Sequence, residues 1–288
     1  MRSPKFAIVC VTAREYGGRF TYLQRLLPSL AKDDCHWCLI CDKGVGGRLR
    51  KSAERIRIVS IDYHNRTKLS KVAFFAYELT SLIRDLQADG IFCADGYLLR
   101  PFTVPSCVLI RLVRPFAHRR RKMGVTTRHR FIKWLVSLSV RFADYVLFPG
   151  RHHIALVRSS NLALPYRKVV VDHYGPPIRA PFWNPILKER VRIVFPSFAD
   201  EEHKNARVLL HAIALLAEEV PLELHLFRGG TYPQQKQYIA LNHLARKMGI
   251  EGFIRWHASC EPEFVLSLLA SANVSVFPSH YELSLIHI

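Results

Sequence analysis

Residues 263–282 read EFVLSLLASANVSVFPSHYE, and the order of features in this segment decides the fold. A helix-like apolar run gives way to the alternation ANVSVFPS, which reads as a buried strand closing in the turn Pro278-Ser279. Ligands of parallel α/β sheets are met at the carboxyl ends of the strands, so a turn that delivers Glu282 there marks a ligand-facing edge.

The same rhythm runs upstream. RVRIVFPS, LELHLFRGG and FIRWHA read as strands, separated by the helical patterns KNARVLLHAIALLAEE and QKQYIALNHLARKMG. Further back, YGPPIRAPFWNP crowds Pro176, Pro177, Pro181 and Pro185 into a stretch with no period, which reads as an interdomain hinge. Ahead of it the alternation begins again with KFAIVCVTA, WCLICD, IRIVSID, GIFCAD, CVLIRLV, ADYVLFPG and KVVVDHYG as strands. GGRFTYLQRLLPSLAK, KVAFFAYELTSLIRDLQ and HHIALVRSS read as helices. Strand and helix in alternation predict parallel sheets covered on both faces. The expected architecture is α/β, with two Rossmann-like doubly wound domains: residues 1–178, a hinge at 179–188, and a partial second domain at 189–282. A length of 288 residues is enough for two cores. Two such sheets about a hinge are expected to leave a cleft at their carboxyl edges.

The net charge of +19 is concentrated in one half. Residues 1–185 carry 32 Lys or Arg against 12 Asp or Glu, a balance of +20, and residues 186–288 carry 10 against 11, a balance of −1. No acid falls between Asp95 and Asp144, where eleven basic residues lie from Arg100 to Arg141. Such a surface attracts anions, or is a solvated basic face. Within it, RHRFIKWLVSLSVRF places Phe131, Trp134, Leu135, Leu138 and Phe142 on one helical face with basic neighbours. That pattern fits a helix lying on an anionic membrane, and equally one packed on its own domain. No uncharged apolar run reaches the roughly 20 residues of a membrane span. MRSPKFAIVCVTARE reads as a first strand and not as a signal peptide, so a cytoplasmic location is expected, with peripheral attachment to the inner face of the membrane.

Cys35, Cys38 and Cys41 have the C-x2-C-x2-C spacing of an iron–sulfur ligand set. HWCLICD also reads as a buried strand, in which alternation sends Cys38 to the face opposite Cys35 and Cys41. The strand reading is preferred, and no metal site is expected.

Taken together, these motifs resemble glycosyltransferase family 4, enzymes of the GT-B fold that transfer a sugar from a nucleotide-diphosphate donor. The match runs along essentially the whole chain as scattered short segments in the family's order. YGGR places Gly17 and Gly18 at the family's glycine pair, which the resemblance implies is donor-binding, where bare backbone and a helix start can approach donor phosphate or acceptor, although a turn needing only positive φ would also use glycine. KVVVDHYGPP matches the segment before the hinge, with Gly175 as its glycine. HKNARVLLHAIALL is similar to the family's lysine-led helix, so Lys204 would meet the donor diphosphate as a compact charge. FRGG supplies Gly229 and Gly230, and Glu282 would be the first glutamate of E-x7-E.

The sequence departs from the family in four places. Phe198 stands near where an arginine is usual, with Arg228 as substitute. Val113 and Arg114 stand where a histidine is common, leaving His118 as the acceptor-side catalytic candidate. The second glutamate would fall at 290, past the last residue, and LSLIHI (283–288) reads as a non-native tail. A C-terminally truncated fragment with little or no activity is therefore expected.

The resemblance implies a retaining, metal-independent, hexosyltransferase-like enzyme without a cofactor, its donor a nucleotide sugar and its acceptor a lipid-linked or envelope glycan. Positive groups and helix ends would stabilise the leaving diphosphate. Two other classes fit parts of the chain. A basic nucleic-acid-binding α/β protein would use the charge, yet no specific nucleic-acid motif is present. A dinucleotide-dependent oxidoreductase would use Gly44, Gly46 and Gly47 of CDKGVGGRLRK, which follow the second strand and lack the last glycine of G-x-G-x-x-G.

Overall fold

A computed structural model describes residues 3–14, 18–50, 53–111, 116, 127–159, 162–164, 168–171, 190–199, 204–228, 232–258, 260 and 262–279. Gly17, His118, Gly175, Gly229, Gly230, Glu282, the hinge 179–188 and the tail 283–288 lie outside the described residues. The chain divides into two compact units, Met1–Tyr174 and Gly175–Ile288.

The first unit is built on a parallel sheet of β1 (Lys5–Cys10), β2 (His36–Asp42), β3 (Arg57–Ile61), β4 (Gly90–Cys93), β5 (Ser106–Leu109), β6 (Tyr145–Phe148) and β7 (Val169–Val171). Their spatial order is β3-β2-β1-β4-β5-β6-β7. Alternation along β1 feeds both faces: Ala7 and Val9 enter one core with Phe74, Val108 and Val146, and Ile8 and Cys10 enter the other with Leu23, Leu27 and Leu39. Burial on both faces is why these strands are continuous apolar runs. Helices α1 (Gly18–Leu30), α2 (Lys43–Leu49), α3 (Lys68–Ala73), α4 (Leu79–Asp85), α5 (Thr127–Phe142) and α6 (Arg151–Arg158) follow their strands, and a π turn at Phe74–Glu78 joins α3 to α4.

The glycine run after β2 has a packing role. It forms α2, and a Cβ at Gly46 would lie 2.7 Å from Ser60 Oγ of β3, so glycine there lets helix and strand approach. The glycines that suggested a dinucleotide turn are thus helical. Asp42 caps α2 through Gly44 N at 3.1 Å and also accepts from Tyr63 N and His64 N, both at 3.0 Å. Replacing Asp42 with Ala leaves those donors without it and should cost about 2–3 kcal/mol in urea unfolding.

Cys41 shares its core with Leu39, whereas Ile40 faces the opposite core, so Cys38 and Cys41 diverge across the sheet. Among the described residues no group of three potential ligands could hold a metal ion.

The expected apolar face of α5 is divided by packing. Leu135 is buried and Leu138 and Phe142 are half-buried, while Phe131 and Trp134 stay exposed, their rings stacked at 5.7 Å. The helix packs its Val136 and Val140 side on the unit's own core, and Phe131 and Trp134 form the exposed aromatic edge of the stripe. Among the described residues no helix is long and apolar enough to cross a membrane.

His153, in the first turn of α6, is wholly buried, and among the described residues neither ring nitrogen makes a hydrogen bond of good geometry. Burial, then the neighbouring His152, lowers its pKa from 6.5 to about 4. It stays neutral in the folded chain while the unfolded chain takes up a proton below pH 6.5, so stability falls as pH drops through the window from 6.5 to about 4. The loss should total about 3 kcal/mol. Unfolding free energies from urea titrations at pH 7 and pH 4.5 should differ more for the wild type than for His153→Leu by about that amount.

The second unit has β8 (Val191–Phe198), β9 (Leu222–Phe227), β10 (Ile254–His257) and β11 (Val274–Ser275) in the order β10-β9-β8-β11, all parallel. Helices α7 (Ala206–Leu216), α8 (Tyr232–Lys247) and α9 (Pro262–Ala270) alternate with them. Ile193 and Phe195 face the core shared with α7 and α8, and Val194 faces α9. Arg192 fixes the short β11: its N–H donates to Asn273 Oδ1 at 2.8 Å, and its guanidinium donates to Ser271 Oγ and Glu223 Oε1, both at 2.7 Å.

Candidate functional site

Among the described strands each sheet reverses its strand order at one place, and at such a reversal in a parallel α/β sheet a crevice is expected at the carboxyl edge. In the second unit that place lies between β8 and β11. The chain leaving β8 arrives at Lys204 and Asn205 ahead of α7; the chain leaving β11 arrives at Pro278 and Ser279. A hydrogen bond joins the two connections, from Asn205 Nδ2 to the Pro278 carbonyl at 3.1 Å.

Asn205 adopts the left-handed conformation at φ 59°, and its side chain, committed to Pro278, makes no cap for α7. Among the described residues the first turn of α7 therefore keeps its positive end without a side-chain cap, beside the half-buried Lys204. Ser279 Oγ is buried and without a hydrogen-bond partner among the described residues. A helix start, an ammonium and a buried hydroxyl on adjoining connections form an arrangement suited to an anion. Arg228 leaves β9 with its backbone N–H on the His257 carbonyl at 2.9 Å, its guanidinium lying 5.1 Å from the Tyr238 ring centre. Glu282 lies three residues past Ser279, outside the described residues.

In the first unit the reversal falls between β1 and β4. Asp95, just past β4, accepts from Val11 N at 2.6 Å, from Thr12 N and from the Thr12 hydroxyl, and so locks the start of the connection that leads to Gly18. Burial raises its pKa, against the pull of Arg19 and of the Thr12 and Val11 donors. Gly18 opens α1 with no atom within 4 Å of where a Cβ would sit, so its surroundings do not demand glycine for space. Arg111, two residues past β5, is 8% exposed; its guanidinium lies 3.9 Å over the Tyr22 ring and donates to the Gly18 carbonyl at 3.5 Å. His64, past β3, has Nε2 2.8 Å from the Ala13 carbonyl.

The structure thus places Lys204 and Gly18 at strand-order reversals of their respective sheets and Arg228 at the neighbouring carboxyl edge. Asp95, Arg111, Asn205 and Ser279 escaped the reading of the sequence. Their signals were faint: an acid closing GIFCAD, an arginine inside the apolar CVLIRLV, an Asn preceding a helix start, and a serine read only as a turn residue.

No family model matches the chain, and no curated protein does. Solved structures do. The chain is similar to sucrose-phosphate synthase from Thermosynechococcus elongatus, with TM-score 0.76 and 13% identity over 98% of this chain and 77% of that one. It is similar to Anabaena Alr3699/HepE, a structure in complex with UDP and glucose, with TM-score 0.70 and 12% identity over 96% and 74%. A glycosyltransferase from Rickettsia africae matches with TM-score 0.67 and 12% identity over 97% and 74%. These likenesses define the class of fold: parallel α/β, with the Rossmann-like units of the GT-B glycosyltransferases. At these identities they speak for architecture.

Proposed function

We propose that the chain is a glycosyltransferase of family 4 type, taking a hexose from a nucleotide-diphosphate sugar. The observation that carries this is the meeting of Lys204 and the start of α7, which Asn205 leaves without its side-chain cap, with the Pro278–Ser279 turn at the β8/β11 reversal. There the leaving diphosphate is held by the Lys204 ammonium and helix amides, with Gly229, Arg228 and Glu282 completing the donor side. UDP is the nucleotide to try first, because HepE was solved with UDP and glucose. Transfer proceeds with retention and without a metal, since fixed positive groups meet the charge that develops on the leaving oxygen. Gly17 and Gly18 are also assigned to donor binding, and His118 is the catalytic candidate for the acceptor side.

The acceptor is a lipid-linked or envelope glycan. Phe131 and Trp134, stacked and exposed on a helix with Arg130 and Arg141 also exposed, support attachment to an anionic membrane from the cytoplasmic side. The working division remains residues 1–178, a hinge at 179–188 and a donor-binding part at 189–282. Thermal unfolding with UDP, UDP-glucose and NAD tests the class: UDP compounds should raise the midpoint and NAD should not. Protection by NAD alone would refute it. Glucose transfer from UDP-glucose, where measured, should survive EDTA undiminished.

A further inference from the structure

The helical element between β3 and β4 is apolar on its outside as well as on its inside. Its inner side, Phe74, Phe75, Leu79 and Ile83, enters the core over the sheet. Its outer side exposes Leu69 at 84%, Tyr77 at 70% and Val72 at 38%. Helix α3 sets Leu69 and Val72 one turn apart on one face. Tyr77 follows Val72 at a spacing that an unbroken α-helix would rotate well off that face. The π turn at Phe74–Glu78, closed by Leu79 N on the Phe74 carbonyl, is wider per turn and swings Tyr77 back beside Leu69 and Val72. Half-buried Ala73 and Ala76 lie between them. Lys71 turns aside, its ammonium donating to the His64 carbonyl at 2.9 Å and lying over the Tyr63 ring.

The charges at the rim of this stripe are mostly positive. Glu78 is taken by Arg66, whose Nη1 donates to both carboxylate oxygens at 2.8 Å, and Asp85 ends α4 beyond Tyr77. Lys68, Arg84 and Arg100 are exposed; Arg100 Nη1 donates to the Ala76 carbonyl at 3.3 Å, which brings its guanidinium to the edge of the stripe. Aliphatic groups and a phenol ring with cations around them suit the boundary of an anionic bilayer: the apolar groups enter, the phenol stays at headgroup level, and the long basic side chains reach phosphate. Helix α5 covers the same side of the sheet, since Val136 and Val140 share the core with Phe74 and Leu79, and Ser139 Oγ accepts from Leu98 N at 2.9 Å. Its exposed Phe131 and Trp134 therefore belong to the same outer layer, near the exposed Arg130.

We propose that the outer stripe of α3 and the π turn is a lipid-docking surface, which enters an anionic membrane together with the aromatic edge of α5. This rests on the peripheral attachment read from Phe131 and Trp134 and extends it from one edge to a layer with two points of insertion. One insertion leaves the unit free to turn on the bilayer; two fix its orientation. A membrane-held acceptor is then met by the unit in a single pose.

The full chain is sedimented with vesicles of phosphatidylcholine alone and of phosphatidylcholine with about 30% phosphatidylglycerol, as wild type, as the double variant Leu69→Ser/Tyr77→Ser and as Trp134→Ser. Wild type should bind the phosphatidylglycerol vesicles well above the neutral ones, and the double variant should lose about tenfold or more in partition coefficient. Leu69 and Tyr77 are both exposed, so the urea midpoint of the double variant should move little. Equal binding by wild type and double variant overturns the proposal; if Trp134→Ser loses binding in the same series, attachment through α5 stands without it. Loss in the double variant with Trp134→Ser unchanged upholds the stripe and overturns attachment through α5. A wild type that binds neither vesicle overturns both, and equal binding to the two vesicles overturns the anionic surface. Self-association that the double variant abolishes, without vesicle binding, gives the stripe to a second copy of the chain and also overturns the proposal.

Discussion

Lys204→Met should weaken UDP binding by about 10- to 100-fold, the range for losing one charge-assisted contact to a diphosphate, while leaving uridine affinity unchanged. Lys204 sits where the chain from β8 enters α7, at the strand-order reversal of its sheet, and the helix end beside it has no side-chain cap among the described residues. A methionine keeps the length and apolar character of the stem and removes the ammonium, so the change isolates charge. Lys204→Arg should retain most of the affinity, since it keeps the charge and adds a fork. Calorimetry with uridine, UMP and UDP checks all three statements. An equal loss for uridine would mean that the substitution disturbed the fold of the edge and not its charge.

Asp95→Ala should have the largest effect on stability, about 3–5 kcal/mol in urea unfolding, because it leaves buried donors without an acceptor and Arg19 without its nearby acid. Asp95 accepts from Val11 N and Thr12 N and from the Thr12 hydroxyl across 83 to 84 residues of sequence, so it staples β4 to the exit of β1. Asp95→Asn keeps one acceptor oxygen and removes the charge; it should cost about 1–2 kcal/mol. The pH dependence has a definite sign. Burial raises the folded pKa of Asp95, so the group's contribution to stability decreases as pH rises from the usual carboxylate range to that raised value, and is flat above it. His153 works in the other direction, losing stability on acidification, which is why the two are best separated with single variants.

The strands could be read from the sequence because both faces of a parallel sheet are buried, and burial on both faces writes an unbroken apolar run such as KFAIVC or LELHLF. Helix α2 was hidden because KGVGGRL is poor in helix-forming residues; it forms because glycine lets it sit against Ser60 and Ile58. Lys204 and Gly18 were legible through local patterns, a charged residue before a helix and a glycine at a helix start. Asp95 and Arg111 were not, since each acts across a strand pairing: β4 beside β1, and the exit of β5 folding back on α1. The aromatic stripe of α5 shows the converse limit. Its period was read correctly, but which part of the stripe meets the core depends on Val136 and Val140 packing under the sheet.

The central claim is that the donor diphosphate is bound at the β8/β11 edge, and a crystal structure of the chain with UDP tests it most directly. The account expects the diphosphate on the first turn of α7, with Lys204 Nζ and the helix amides within hydrogen-bond distance. A diphosphate seated instead against Arg19 and Arg111 at the β1/β4 edge, or away from Lys204 altogether, would contradict it.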